Sequence, residues 1–528
     1  MFRLFARANR SSRTYHPPNR NSLSRFLSTM ADLKVNLTAP NGRKFTLPTG
    51  LFINNEFVKS SSGTKITSIN PTNEQEICSV EAASPDDIDK AVAVARAALN
   101  HPSWRDISGT ERGRLLYKLA DLIEKERETL ETIETWDNGK PLSGARGDLG
   151  HVIDVIRYYA GYADKIHGET IPTINGKFVY TLKQPIGVCA QIIPWNYPLG
   201  MASWKLGPAL ACGNTIVLKP AEQTPLSILY LANLVREAGF PPGVVNITNG
   251  YGREAGHALA SHMGIDKIAF TGSTATGKQI MKTASVNMKN ITLETGGKSP
   301  LLVFEDADIE QAAKWAHNGI MSNQGQICTA TSRLLVQDTV YDQFVKEFKE
   351  VLKTTSKVGD PFEESTFQGP QVTKTQYDRI LGFVESGKTE GATLISGGVP
   401  CPLNGKGYFI APTIFTNVKS NMKIYQEEVF GPFVVIAPFK TEEQAIAMAN
   451  ETSYGLGAAL HTQNLGRAHR VASRIEAGMV FVNSSNDADF RAPFGGVKQS
   501  GIGRECGEAG LKGYMETKAI HVNLGLKL

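Results

Sequence analysis

The chain has 528 residues, of which 41% are hydrophobic and 20% charged, the balance of a globular protein with a large core and enough length for two to four domains. Its net charge is +5, but six arginines and no Asp or Glu fall in the first 31 residues, so the remainder sits at about −1, which argues against a nucleic-acid-binding surface as its main purpose. The absence of a run of 18 apolar residues argues against a membrane-spanning helix, and six scattered cysteines without a C-x-x-C pair argue against a disulfide framework or a zinc site.

The first 30 residues, MFRLFARANRSSRTYHPPNRNSLSRFLSTM, are rich in Arg and Ser and free of acid. That is the composition of a mitochondrial transit peptide, with a disordered basic tail as the plainer alternative. A matrix location is expected, and Met30 offers a second start for a shorter cytosolic form. Residues 51 to 80 read as short strands with turns. At Ser84 a helix begins, with Pro85 in its first turn, Asp87 three residues after the cap, and Ile88, Ala91, Val92, Ala95 and Leu99 at helical spacing. A second long helix is expected to start near Thr110.

From residue 187 strands and helices alternate. "GVCAQIIPW" reads as a buried strand, "MASWKLGPALAC" as a helix and "TIVLKP" as a strand. "TPLSILYLANLVREAG" reads as a helix capped by Thr224 and stopped at Gly239. Strands "VVNITN" and "DKIAFTG", helix "STATGKQIMKTAS" and strand "NITLETGG" complete the run. The alternation predicts an α/β fold with a parallel sheet covered on both faces, whose ligands bind beyond the carboxyl ends of the strands.

"FTGSTATGKQI" almost spells an ATP-binding P-loop: Gly272, Gly277 and Lys278 fit, but Gln279 replaces the Ser or Thr that would reach Mg²⁺. A phosphate held on backbone N–H groups at the helix start, or a plain strand-to-helix turn, are both open from this pattern. "GIGREC" at 501 to 506 lacks the third Gly of a dinucleotide fingerprint and is not assigned a cofactor role.

Cys328 lies in "NQGQICTATSR". A lone Cys is more often a buried structural residue, but these neighbours are polar and flexible, the partly open setting that a nucleophilic thiolate needs. Glu294 ends the strand "NITLE", where a carboxylate can serve as a general base or can simply be a cap or an ion-pair partner. Asn196 follows "QIIPW", and its amide can donate to an oxyanion or be a turn residue before Pro198. Lys219 and Glu222 in "LKPAEQTP" suit ribose hydroxyls or a solvated loop.

Together, "PWNYP", "LKPAEQTP", "FTGST", "LETGGKSP", "NQGQICTA", "EEVFGP" and "PFGGVKQSGIGRE" resemble, in order and from about residue 35 to the end, the NAD(P)-dependent aldehyde dehydrogenase superfamily. The sequence is most similar to its broad-specificity, acetaldehyde-type members, of the fungal mitochondrial kind. The resemblance implies a variant Rossmann dinucleotide-binding domain over 34–165 and 187–296, and an α/β catalytic domain over 297–500. It also implies a small β oligomerisation element over 167–186 and 513–528, and a homotetramer arranged as a dimer of dimers, with a homodimer as the alternative.

The implied cofactor is NAD⁺, preferred over NADP⁺, and no metal is implied. Cys328 would attack the aldehyde carbon, Asn196 and the Cys328 N–H would hold the oxyanion, and Glu294 would activate water against the thioester. The cofactor would lie on Ile192, Pro194, Trp195, Lys219, Glu222, Gly272, Ser273, Gly277, Glu428 and Phe430. Tyr197, Trp204, Ser322, Ala488 and Phe494 would line the substrate tunnel. Ser322 and Ala488 are small and Asp487 and Asp489 are acidic, which makes longer or amine-bearing aldehydes, betaine aldehyde among them, an alternative to acetaldehyde. A thiol ester hydrolase, a catalytically silent binding protein of the same fold and a P-loop NTPase are the rival readings.

Overall fold

The computed structural model describes residues 33–528, so the leader expected over residues 1–30 lies outside the described residues. The helix read from Ser84 forms as Pro85–Asn100. Ser84 accepts from the Asp87 N–H while the Asp87 carboxylate accepts from the Ser84 N–H, and the buried stripe is Ile88, Ala91, Val92 and Ala95. The next long helix, Gly109–Lys125, starts one residue before its expected place, because Ser108 and Glu111 close a second reciprocal cap.

The first sheet has eight strands. Its centre is five parallel strands in the spatial order Asn290–Glu294, Lys267–Thr271, Val188–Ile192, Thr215–Lys219 and Val245–Ile247. The chain runs outward from Val188–Ile192 to one side, then returns to build the other. The order reverses beside that strand, which opens a crevice at the carboxyl ends. Antiparallel edges close the sheet: Gly501–Ile502 beside Asn290–Glu294, and Leu51–Ile53 beside Val245–Ile247. Gly501 and Ile502, which open "GIGREC", are therefore an edge strand of the sheet.

Two expected boundaries move. Thr224 does not cap the following helix, which runs Leu226–Ala238 from Pro225 without a side-chain cap. Thr224 Oγ1 turns instead toward the Trp195 carbonyl at 3.4 Å, so a tertiary contact outweighs the local cap. The helix read from Met201 starts at Pro198 and runs to Ala211. It is buried on nearly every face, as an element between two layers must be.

The second sheet has seven strands in the order Thr393–Ser396, Thr413–Thr416, Phe433–Phe439, Arg333–Gln337, Pro300–Val303, Gly457–His461 and Met479–Val482, all parallel except the first. Lys177–Pro185 pairs antiparallel with Met515–Asn523 of the same chain, with Thr170–Ile171 on its outer side. This third sheet carries exposed Ile171, Phe178 and Leu182. Among the described residues no helix is long and apolar enough to cross a membrane, and no His, Cys, Asp and Glu group could hold a metal ion.

Candidate active site

Four neighbouring strands of the first sheet deliver polar groups at their carboxyl ends. Asn290–Glu294 ends in Glu294, Lys267–Thr271 leads into Gly272 and Ser273, Val188–Ile192 leads into Trp195 and Asn196, and Thr215–Lys219 ends in Lys219. The second sheet faces them from the opposite direction. The loop before Arg333–Gln337 carries Cys328, and the loop before Phe433–Phe439 carries Glu428 and Phe430. Between the two lies a cavity of ≈ 490 Å³.

That cavity brings together Cys328, Glu294 and Asn196 with Pro194, Trp195, Gly272, Ser273, Glu428 and Phe430, and with the tunnel residues Tyr197, Trp204, Ser322, Ala488 and Phe494. Ile192, Lys219, Glu222 and Gly277 do not line it. Ile192 is buried within its strand, and Gly277 sits one turn inside the helix Thr274–Ala284, where a Cβ would come within 2.7 Å of Thr295 Cγ2. Gly277 thus allows close helix–strand packing. Lys219 and Glu222 stand at the next strand end, with Lys219 Nζ donating to the Pro220 carbonyl at 2.9 Å and to Glu222 Oε2 at 3.4 Å.

The loop before Cys328 is held in an unusual shape. Asn323, Gln324 and Gly325 all have positive φ, at 48°, 58° and 70°. A Cβ on Gly325 would lie 1.9 Å from the Gly431 carbonyl oxygen, so only glycine fits there. Three consecutive left-handed residues are strained, and the surroundings must fix them. Gln324 Nε2 donates to the carbonyls of Gly139 and Pro370, and Gln326 Oε1 accepts from the Val372 N–H at 3.0 Å. Asn196 Nδ2 donates to the Gln326 carbonyl at 2.9 Å. That bond uses one amide proton and leaves the other for an oxygen in the cavity, beside Cys328.

Burial is the leading electrostatic influence in the site. Burial pushes the Cys328 thiol up to about 12, with the Glu428 and Glu294 carboxylates adding to the effect. Glu294 is buried, and neither of its oxygens holds a well-formed hydrogen bond. Burial first, and then the neighbouring Glu505 carboxylate, raise it well above the ordinary carboxyl range, against a smaller pull from Lys205 and Arg504. The Lys205 ammonium is itself buried and pairs with Glu505, its Nζ also donating to Thr271 Oγ1 at 2.7 Å. This Lys205–Glu505 pair escaped the sequence reading. The signal was a lone lysine inside the otherwise apolar "SWKLGPAL".

Glu428 Oε1 accepts from the Gly297 N–H at 2.9 Å, and burial pushes this carboxyl up to about 7. Phe430 has φ 62° and is held by Gln376 Nε2, which donates to its carbonyl at 2.8 Å. Its ring meets Trp195 edge-on, with centroids 5.2 Å apart. Ser273 caps the helix Thr274–Ala284 by accepting from the Thr276 N–H. The first amides of that helix have no intrahelical acceptor and can meet a phosphate. With the Lys219–Glu222 pair farther along, these strand ends fit a dinucleotide.

Of the two acids expected near the tunnel, neither lines the cavity. Asp489 is paired with Arg491 through both carboxylate oxygens, and Asp487 is exposed and lines a neighbouring cleft. Asp148, a cavity residue absent from the sequence reading, accepts from Lys140 Nζ at 2.5 Å.

Residues 57–520 match the model of the aldehyde dehydrogenase family. The chain is 54% identical over 497 residues to an aldehyde dehydrogenase of Emericella nidulans, covering 94% of this chain and 99% of that protein. It is 51% identical over 501 residues to retinal dehydrogenase 2 of Rattus norvegicus, covering 94% and 96%. The structure of an aldehyde dehydrogenase from Bacillus cereus, solved as its NAD⁺ complex, superposes with a TM-score of 0.89 at 48% identity, covering 90% of this chain and 97% of that one.

Proposed function

The chain belongs to the aldehyde dehydrogenase family, and from that premise we propose that Cys328, Asn196 and Glu294 carry out an NAD⁺-dependent oxidation of an aldehyde to its acid. The observation that carries the proposal is their convergence on one cavity, with Asn196 held by the peptide two residues before Cys328. Cys328 gives up its thiol proton to water, and the thiolate attacks the aldehyde carbon. The resulting oxyanion accepts hydrogen bonds from the free Asn196 amide N–H and the Cys328 backbone N–H, donors fixed before the reaction begins. When bound, NAD⁺ supplies the acceptor for the hydride released as the thiohemiacetal becomes a thioester. Glu294 then takes a proton from water as that water attacks the thioester carbon, and the acid leaves with the sulfur restored to Cys328. Half-buried Glu428, Phe430 and Trp195 line the side where the ring of the cofactor would sit. Absorbance of NADH on mixing protein, NAD⁺ and propanal tests the proposal, and release of acid from an ester such as 4-nitrophenyl acetate with no NADH from propanal would replace it with the hydrolase reading.

Glu222 should favour NAD⁺ over NADP⁺. A carboxylate that accepts from the ribose hydroxyls meets a 2′-phosphate as a like charge at close range, while Lys219 works the other way. A bias of about 1.4 kcal/mol is already tenfold. Glu222→Ser is expected to raise the NADP⁺ specificity constant relative to NAD⁺ by roughly tenfold. An unchanged ratio would show that Glu222 does not face the ribose.

The basic, acid-free leader supports import into the mitochondrial matrix, with a cytosolic form starting at Met30. A reporter fused to the chain from Met30 should stay in the cytosol, and its continued import would refute the assignment. The exposed apolar residues on the third sheet support assembly as a tetramer through that sheet. Sedimentation velocity separates that state from a dimer.

A further inference from the structure

One wall of the Cys328 cavity is built from two helices. On Leu142–Tyr162, Asp148 and His151 stand one turn apart, and on Pro198–Ala211, Gly200 and Trp204 do the same. Trp204 Nε1 donates to His151 Nε2 at 2.7 Å. Trp204 packs against Phe494 with centroids 4.7 Å apart, and His151 against Phe490 at 5.7 Å.

An indole N–H can only donate, so His151 Nε2 must present its lone pair and the neutral ring carries its proton on Nδ1. Burial favours that neutral form, outweighing Asp148, Asp154 and Asp489. Among the described residues Nδ1 has no acceptor. The ring therefore carries a donor without a protein acceptor, on a side chain that lines the cavity.

Gly200 supplies space beside it. A Cβ there would meet only the Tyr197 Cβ, at an ordinary 3.5 Å, and its φ is not positive. Neither packing nor backbone shape requires glycine, and a helical glycine is disfavoured against alanine. The missing side chain leaves cavity volume, which Ala488 and Ser322 extend. Asp148, which lines the cavity, is bonded to Lys140, and Asp489, in the adjoining cleft, to Arg491, while Asp487 stands exposed in that cleft and does not line the cavity.

We propose that the enzyme's preferred substrates are bulky, uncharged aldehydes bearing an oxygen acceptor remote from the aldehyde carbon, which receives the His151 Nδ1 proton while the tail fills the space at Gly200. This assignment rests on the dehydrogenase reading above. It makes His151 and Gly200 residues that select the substrate and take no part in the chemistry.

The probes are propanal, 3-phenylpropanal, 3-(4-methoxyphenyl)propanal and the same ring bearing a trimethylammonium group in place of methoxy, each measured by NADH formation. The wild type is expected to prefer the methoxy compound to the plain ring by about tenfold in kcat/KM, the worth of one hydrogen bond. In His151→Phe that ratio should fall to about one, and His151→Gln, which keeps a donor, should recover part of it. In Gly200→Leu the ratio of either ring aldehyde to propanal should fall at least tenfold. Ratios that stay fixed while all rates fall together would overturn the assignment, as would a preference for the trimethylammonium compound. Oxidation of propanal with neither ring aldehyde turned over would overturn this inference alone. Oxidation of none of the four would overturn the dehydrogenase reading itself.

Discussion

Cys328→Ser is expected to abolish aldehyde oxidation while NAD⁺ binding persists. The thiol in this cavity is already pushed up to about 12 by burial and two nearby carboxylates. A serine hydroxyl starts several units higher and is a far weaker nucleophile at any accessible pH. Removing a hydrolase nucleophile costs about 10⁶ in kcat, and a loss of similar order is expected here. The substitution removes no hydrogen bond that holds the loop, since Gln324, Gln326 and Asn196 do that. NAD⁺ titration by fluorescence should therefore match wild type. Substantial remaining turnover would take Cys328 out of the mechanism.

Glu294→Gln should give a burst of NADH and then stall. The first half of the reaction needs the thiolate and the oxyanion donors, and the second needs a base for water. Loss of a general base typically costs 10²–10⁴-fold, so steady turnover should drop by about that much while the burst survives. A slowed burst would instead assign Glu294 to the activation of Cys328. The electrostatics add a second arm. A carboxyl raised above its ordinary range works as a base only once pH exceeds that raised value, so turnover should climb as pH rises. Glu505 helps to hold Glu294 up, and Lys205 opposes it. Glu505→Gln removes the like charge and should move the acid limb of the kcat profile to lower pH. Lys205→Met should move it to higher pH. A limb that stays in place in both would mean that another group titrates.

The parallel sheet was legible because its strands are apolar runs with polar residues at their carboxyl ends, and those ends are where Asn196, Glu294 and Ser273 stand. The near-P-loop at Gly272 was legible as a strand-to-helix turn. The place of Gly277 was not, because only the folded helix shows it packed against Thr295. Thr224 followed a capping pattern in the chain, yet its hydroxyl is drawn to the Trp195 carbonyl 29 residues away. What stayed hidden depends on partners distant in sequence. Lys205 meets Glu505 across 300 residues and Trp204 meets His151 across 53. A histidine within a helical pattern carries no mark of its tautomer until its partner is known. The pairing of Asp489 with Arg491 two residues on was open to the sequence, but the bond that holds Asp148 at the cavity wall to Lys140 was not.

The central claim is that the aldehyde carbon becomes bonded to Cys328 and leaves it only when Glu294 activates water. The most direct measurement is mass spectrometry of Glu294→Gln after mixing with propanal and NAD⁺ and quenching at the end of the burst. The mechanism predicts one propanoyl group on the peptide containing Cys328 for each NADH formed, and none when NAD⁺ is left out. A stoichiometric burst of NADH with Cys328 unmodified, or with the acyl group on another residue, would contradict it.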